Sequence, residues 1–336
     1  MGTNEKILQR IHAGRESVIG SGVTPTRRVY ATLTKTYGRA LQEFTDTSGT
    51  YVGDRRPSYG REKIGFKAVD IGTFEDLPWW CLFSIDGALS NGVTDGGSPA
   101  AYSRLFEPDI ENDTLASFTF EHNEPGNPYE TNQVMANSMT FRMNSDNDSE
   151  SGWMIDADLL GLNWESIGSF TTAIPQRSTE VIKARGTKIY IDDEGDTFGD
   201  TQLVAGLIST STTIQINRHF KAFAEDEKTC TPGAVGRRKL RIASQVTMEF
   251  DNDAEFANYR SDEPVLRKIR LEREGSVIHD AVRKLFQLDV SGYWNSWSEG
   301  DRDGNLIMTM GMQGFWDIDE DVMFRVNTVN AVGVLP

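Results

Sequence analysis

The chain of 336 residues is long enough for one large domain or two ordinary ones, and two fits the usual domain size better. Its 38% hydrophobic and 25% charged residues are those of an ordinary globular protein, while 50 acidic against 34 basic side chains, a formal charge of −16, exclude a basic nucleic-acid-binding module. The excess is shared: residues 1–170 hold 14 Lys and Arg against 24 Asp and Glu, and residues 171–336 hold 20 against 26.

The start, MGTNEKILQR, has no apolar stretch of signal-peptide length, and no apolar run reaches the roughly 18 residues needed to span a bilayer. Folding in the cytosol without membrane insertion is the expectation. Residues 1–22 are polar around one weakly apolar stretch, Ile7 to Ile11, and read as an N-terminal arm, either a short helix or a flexible segment. The ordered fold is expected to begin near Thr24-Pro25. VYATLTKTY, residues 29–37, alternates and is rich in β-branched and aromatic residues, which predicts a strand. FTDTSGTYVGDRRPSYG, residues 44–60, is long, polar and Gly-rich, so it reads as an extended loop or a loosely paired hairpin, a type of segment often used as a contact surface.

A strand is predicted at Lys63 to Ile71. FEDLPWWCLFS, residues 74–84, combines acidic residues, Pro78 and apolar bulk, and suits a short helix covering one face of a sheet. Further strands are predicted at Leu115 to Glu121 and at Val134 to Met143, where Met139, Phe141 and Met143 point one way and Thr140 and Arg142 the other. In the second half Ile214 and Ile216 alternate with polar residues, and Val246, Met248 and Phe250 stand opposite Thr247, Glu249 and Asp251. ANSMTFRMNSD (136–146) lines up with ASQVTMEFDND (243–253), which hints at an internal duplication. SVIHDAVRKLFQL, residues 276–288, has helical spacing behind a Ser cap, with a strand from Val282 to Val290 as the alternative. GYWNSWSE, a turn at residues 301–305 and LIMTMGM form a hairpin that puts Leu306, Met308, Met310 and Met312 on one face. Val322 to Val329 reads as a terminal strand, followed by a short apolar tail.

Chemistry-bearing patterns are missing. There is no phosphate-binding or dinucleotide-binding glycine loop, no H-E-x-x-H and no nucleophile elbow, so no catalytic, cofactor-binding or metal-ligating residue is assigned and no enzyme activity is expected. His12, His122, His219 and His279 lie far apart, and Cys81 and Cys230 are too few for a disulfide framework or a four-cysteine metal site. The acidic runs at 144–150 and 192–196 lack the glycine and distal glutamate of an EF-hand and read as solvated turns. Trp79, Trp80, Trp153, Trp164, Trp294, Trp297 and Trp316 are scattered, which favours core and interface packing over a sugar- or base-stacking platform.

The order of features, from Thr24-Pro25 through a first strand, a long polar loop, VDIGTFEDLPWW and TFRMNSD, resembles the major tail tube proteins of long-tailed (siphovirus-type) bacteriophages. RKLRIASQVTMEFDNDAEF, VLRKIRLEREG and FRVNTVNA resemble the end of the same kind of domain. The resemblance implies a mainly β fold. Its parts would be two tandem β-sandwich domains at 23–170 and 171–330, each with a flanking short helix and a long loop, and a tail at 331–336. It also implies sheets that join those of neighbours into a tubular barrel. A chain with two such domains would form trimeric rings of pseudo-hexameric symmetry, a hexamer being the alternative, stacked in a virion tail. DNA would pass through the channel, and tape-measure and other tail proteins would be partners. The loop at 46–60, with Tyr51, Arg55, Arg56 and Tyr59, is the candidate inter-ring contact. The acidic balance suits a channel that must not hold DNA. Two other readings remain open: a tail terminator or baseplate hub ring, and a carbohydrate-binding or hydrolytic β-sandwich.

Overall fold

The computed structural model describes residues 10–43, 57–85, 93–94, 100–109, 112, 116–124, 127–145, 152–204, 206–249 and 254–335. The described residues form mainly antiparallel β-sheet with two short helices. A first run of elements comprises β1 (Arg10–Arg15), β2 (Arg27–Val29), β3 (Thr32–Glu43), β4 (Pro57–Ile71), α1 (Leu77–Ser84), β5 (Val93–Thr94), β6 (Tyr102–Phe106), β7 (Phe118–Glu124), β8 (Asn127–Asn144), β9 (Met154–Gly161) and β10 (Glu165–Ser166). The second run is β11 (Lys188–Asp193), β12 (Gln202–Leu203), β13 (Leu207–Gln215), β14 (Arg218–Phe220), β15 (Val235–Arg237), β16 (Arg241–Glu249), α2 (Ala254–Arg260), β17 (Arg267–His279), β18 (Val282–Arg302), β19 (Asn305–Gly314) and β20 (Phe324–Asn330).

Pairing follows one order in both runs. In the first, β2-β1-β7-β8-β10 make one ribbon and β3-β4-β9-β8 another, with β8 common to both. In the second, β12-β11-β17-β18-β20 and β13-β16-β19-β18 repeat that order, with β18 common to both. The helices occupy matching places, α1 between β4 and β7 and α2 between β16 and β17. Two hairpins stand outside the repeat. The β5–β6 pair is inserted in the first run, where β6 pairs with β20 and stitches the runs together, and β14–β15 is inserted in the second.

The shared strands are long, 18 and 21 residues, and each carries a bulge near the point where it leaves one ribbon for the other. In β8 the bulge lies between Ala136 and Ser138, and in β18 between Trp294 and Ser296. The extra residue is Asn137 in one and Asn295 in the other, each followed by serine. A bulge bends and twists its strand, as a strand serving two sheets requires. The changeover in β18 is pinned from beneath. Ser291 is fully buried, with its Oγ 2.7 Å from the carbonyl of Phe315 and 3.0 Å from that of Val322. Beside it Lys268 Nζ lies 2.8 Å from Asp317 Oδ2 and donates to the carbonyl of Asp196 at 2.8 Å, both side chains being 1% exposed.

One hydrophobic core runs through both halves. As the alternation predicts, Met139, Phe141 and Met143 are buried while Thr140 and Arg142 are not, and Val246, Met248, Met308, Met310 and Met312 are buried too. α1 is buried on all sides, so it lies inside the core instead of merely capping a sheet. Trp79 and Phe83 stack on Phe120, with Phe118 packed edge-on against both. Just before the helix, Asp76 holds the buried Arg27, accepts from Arg177 at 2.6 Å and accepts from the Thr73 hydroxyl at 2.9 Å. Burial pulls the Arg27 pKa down to about 9.

Several sequence expectations are corrected. Strand pairing is already present well before Thr24, because Ile11 and Ala13 are buried and β1 pairs with both β2 and β7. The strand expected over 29–37 is broken at Tyr30 and Ala31 into β2 and β3. The helical spacing over 276–288 is overridden: a tight turn at Asp280, whose φ is +49°, folds the segment into the β17–β18 hairpin, and the strand alternative holds from Val282. Leu306 lies at the exposed end of its hairpin. Asp192 is buried and accepts from the Gly199 and Thr201 amides at 2.7 and 2.6 Å, so that acidic run is a hydrogen-bonded turn; the 146–150 part of the other run falls outside the described residues. The segments 136–146 and 243–253 are not counterparts either, since β8 corresponds to β18 and β16 to β4.

Two histidines are structural. His12 stacks on Phe170 at 4.4 Å, and His122 lies between Phe66 and Trp164, 5.0 Å from each ring. Burial lowers their pKa values to about 4 and about 3. Folded-state values below the ordinary 6.5 mean that the neutral rings favour folding above pH 6.5, and that this stability is lost as pH falls toward 4. Asp70 acts oppositely: burial raises its pKa to about 6, so its cost above pH 6 is relieved in acid. Two histidines against one carboxylate predict a melting temperature that falls from pH 6.5 to 4. His122→Phe, measured by thermal melts across that range, is expected to remove about 1.4 kcal/mol per pH unit of the slope.

Candidate functional site

The feature of the fold with the clearest functional content is a pair of sheet edges. The ribbons β3-β4-β9-β8 and β13-β16-β19-β18 join side by side, because β8 pairs with β13 from Ser138↔Gln215 to Asn144↔Ser209. The result is an eight-stranded antiparallel sheet, β3-β4-β9-β8-β13-β16-β19-β18, that does not close on itself. Among the described residues no strand pairs with the outer side of β3, nor with the outer side of β18 beyond Gly292. Long open edges are templates for another strand, and monomeric proteins usually cover or blunt them. These two differ in charge. The core-side row of β3 carries Lys35 and Arg39, and that of β18 carries Glu299 and Asp301.

Direct cross-strand partners define matching rows in the two ribbons. Leu33, Ala68, Ala157 and Met139 form one row, and Thr210, Val246, Met310 and Trp297 the other. At the junction Met139 faces Ile214, four residues beyond the Thr210 that begins the second row. The second ribbon is therefore displaced by four residues along the strands relative to the first.

One face of the eight-stranded sheet is turned to the core and the other away from it. Hydroxyls, glycines and amides dominate the outer face, including Thr32, Thr34, Thr36, Ser138, Thr140, Ser209, Ser211, Thr213, Gln245, Thr309 and Gln313. Thr140 Oγ1 meets Thr213 Oγ1 at 2.8 Å across the junction, and Thr247 Oγ1 meets Thr309 Oγ1 at 3.0 Å. Lys63, Lys67, Arg142, Arg241 and Arg302 stand against Asp156, Asp158 and Glu249 on this face. Two of these contrasts are compensated locally: Arg142 Nε donates to Asp156 Oδ2 at 2.6 Å, and Lys67 faces Asp158 across strands. The acidic excess of the chain therefore sits elsewhere, contrary to the simplest expectation from its composition.

Of the loop residues picked out in the sequence, Tyr51, Arg55 and Arg56 lie outside the described residues. Tyr59 is in β4, 64% exposed, with the Arg39 guanidinium 5.1 Å from its ring. The counterpart of that loop in the second run is the 216–240 segment carrying β14 and β15. It reaches back across the junction: Glu62 donates its amide to the Lys228 carbonyl at 3.0 Å, Lys228 Nζ lies 3.1 Å from Glu62, and Gly233 donates to Gln133 Oε1 at 2.9 Å.

The tryptophans serve packing. Trp79, Trp80 and Trp153 are almost fully buried, Lys35 Nζ lies 3.6 Å over Trp164, Trp294 donates to Glu255 at 2.8 Å, and Trp297 packs on Phe256 at 4.9 Å. Cys81 is buried in α1, which pushes its thiol pKa well up, and Cys230 is half-buried. A shallow groove of about 1300 Å³ has a basic rim of Arg237, Arg238, Lys239 and Arg241, with Glu107, Asp109 and Asp321 on its other walls. Among the described residues no three His, Cys, Asp or Glu side chains converge as a metal-binding group, and no helix is long and apolar enough to cross a membrane.

Sequence reasoning found the buried faces of β8, β16 and β19 but missed β1, the double membership of β8 and β18, and the two open edges. One signal was present: Asn-Ser recurs at 137–138 and 295–296, each time between apolar residues on a predicted strand, Ala136 and Met139 in one and Trp294 and Trp297 in the other. No protein-family model matches the sequence, and no curated protein matches it.

Proposed function

We propose that the chain is a structural subunit that closes rings with copies of itself and stacks those rings into a tube, in the manner of the major tail tube proteins of long-tailed phages. The observation that carries this reading is the β8–β13 junction: the molecule already contains one edge-to-edge contact between like ribbons and presents both halves of a second, unmade one. Repeating the contact between copies removes every open edge of the eight-stranded sheet, and a head-to-tail contact with suitable rotation closes a ring. Three copies of the eight-stranded sheet give a 24-stranded barrel with pseudo-hexameric symmetry.

In such a ring the hydroxyl-rich outer face of the sheet becomes the channel wall. Its hydroxyls and amides outnumber its cations, two of which are compensated by Asp156 and Asp158, so it offers DNA little counterion release and lets the polymer slide. Release of DNA through a virion tail, with a tape-measure protein filling the channel beforehand, is the role this wall suits. The 46–60 loop, with Tyr51, Arg55, Arg56 and Tyr59, is kept as the proposed inter-ring contact. A tail terminator or baseplate hub would use the same edges but stop at one ring. A glycan-binding role finds little support, because three of the seven tryptophans are core residues and the others are engaged by neighbours or lie apart.

The test is mass measurement of the soluble protein paired with negative-stain electron microscopy across a concentration series. Hollow, regularly striated tubes growing above a threshold concentration are expected. A monomer that stays monomeric at millimolar concentration, with or without a seed of preformed tail tube, would overturn the reading.

A further inference from the structure

We infer that a second copy of this chain docks β3 onto the second half of β18 in one fixed antiparallel register, in which Trp297 faces the partner's Tyr37, Glu299 faces the partner's Lys35 and Ser298 faces the partner's Thr36. This rests on the ring reading above and specifies its contact residue by residue.

The register comes from the repeat inside the molecule. The matching bulges align Asn137-Ser138 with Asn295-Ser296, so that Met139 and Trp297 occupy equivalent places in β8 and β18. The rows then make Leu33 of β3 equivalent to Thr210 of β13. Hydroxyls fall in step under this alignment, Thr32, Thr34 and Thr36 on one strand matching Ser209, Ser211 and Thr213 on the other. Met139 faces Ile214, four residues beyond Thr210, so Trp297 must face the residue four beyond Leu33, which is Tyr37.

What this register brings together is chemically consistent. Tyr37 is 50% exposed, and Trp297 is only partly covered by Phe256, so each ring gains a partner of the kind that stabilises cross-strand pairs. Glu299 and Lys35, both exposed and of opposite charge, become direct neighbours on the same side. Ser298 and Thr36 reproduce, on the channel side, the hydroxyl contact that Thr140 and Thr213 make at the internal junction. The four-residue displacement is preserved at every boundary, so the shear of the closed barrel equals its strand number. That ratio sets a strand tilt of about 36°, inside the range of natural barrels. With strands about 4.8 Å apart, a 24-stranded barrel of this tilt has a backbone radius of about 23 Å, which leaves a channel wider than a DNA duplex.

Disulfide trapping tests the register. In a Cys230→Ser background, which leaves only the buried Cys81, Ser298→Cys with Thr36→Cys is compared with Ser298→Cys with Thr34→Cys and with Ser298→Cys with Gly38→Cys. After assembly and mild oxidation, the 298–36 pair is expected to give covalent dimers and trimers at least tenfold more efficiently than either displaced pair on a non-reducing gel. Rings that form normally but trap through 298–34 or 298–38 would overturn the register while leaving the ring reading intact. Failure of the Cys230→Ser parent to assemble at all, when the unaltered chain is equally inert, would overturn both.

Discussion

Glu299→Lys is expected to raise the concentration at which the protein assembles by about tenfold, and Lys35→Glu to do the same, whereas the double exchange restores assembly to within about threefold of the starting protein. Opposite charges directly across an antiparallel pair contribute about 0.2–1 kcal/mol, and like charges cost a similar amount, so reversing one partner changes each contact by about 1–2 kcal/mol. Both side chains are exposed in the single chain, and Glu299→Lys should lower its melting temperature by no more than about two degrees. Lys35 also lies over Trp164, so Lys35→Glu carries a further loss of roughly 0.5–1 kcal/mol in the chain itself. Melting curves separate that loss from the assembly effect. Rescue by the double exchange is the decisive outcome, because a merely structural role for either residue would add the two defects instead of cancelling them.

Asp317→Ala is expected to destabilise the folded chain by about 3–5 kcal/mol. Lys268 and Asp317 are each 1% exposed and lie 2.8 Å apart, and removing one partner of a buried pair leaves the other charge uncompensated. The pair sits under the point where β18 leaves one ribbon for the other, next to Ser291 and the turn closed by Asp317 and Val322. The loss should therefore reach the open edge of β18 as well as the core, and amide hydrogen exchange in β18 is expected to rise beyond Gly292. Replacing both partners together, Lys268→Met with Asp317→Leu, is expected to recover much of the stability, since no charge is then left buried. Chemical denaturation measures the first effect, and equal stabilities for the single and double variants would argue against the pair as its source.

The sequence made the strands and their buried faces legible wherever alternation was strict. Met139, Phe141 and Met143 in β8, and Met308, Met310 and Met312 in β19, are buried as their period-two pattern requires. Patterns failed where tertiary pairing decided the outcome. The 276–288 segment has helical spacing, but β-branched Val277, Ile278 and Val282 and a turn at Asp280 fold it into the β17–β18 hairpin, whose second strand also pairs with β20 from Leu285, and these ladder hydrogen bonds outweigh intrinsic preference. β1 was hidden because Ile11, His12 and Ala13 form too short and too mixed a run to announce a strand, and their burial depends on β7 more than a hundred residues away.

The site was less legible than the fold for a related reason. An open edge is a property of pairing, which no local pattern encodes, and the duplication that reveals its partner is written in strand order more than in residues. Matching two amphipathic strands by texture paired β8 with β16, which are fourth and second in their ribbons. Only the bulge, with Asn137-Ser138 and Asn295-Ser296, marks the true correspondence in the sequence itself.

End-on views by electron cryomicroscopy of the assembled protein test the central claim most directly. The account predicts a closed ring of three copies whose inner wall is a single 24-stranded barrel, with β18 of each copy running beside β3 of the next. A ring whose channel is lined by other strands, or an assembly in which the edges of β3 and β18 remain uncovered, would contradict it.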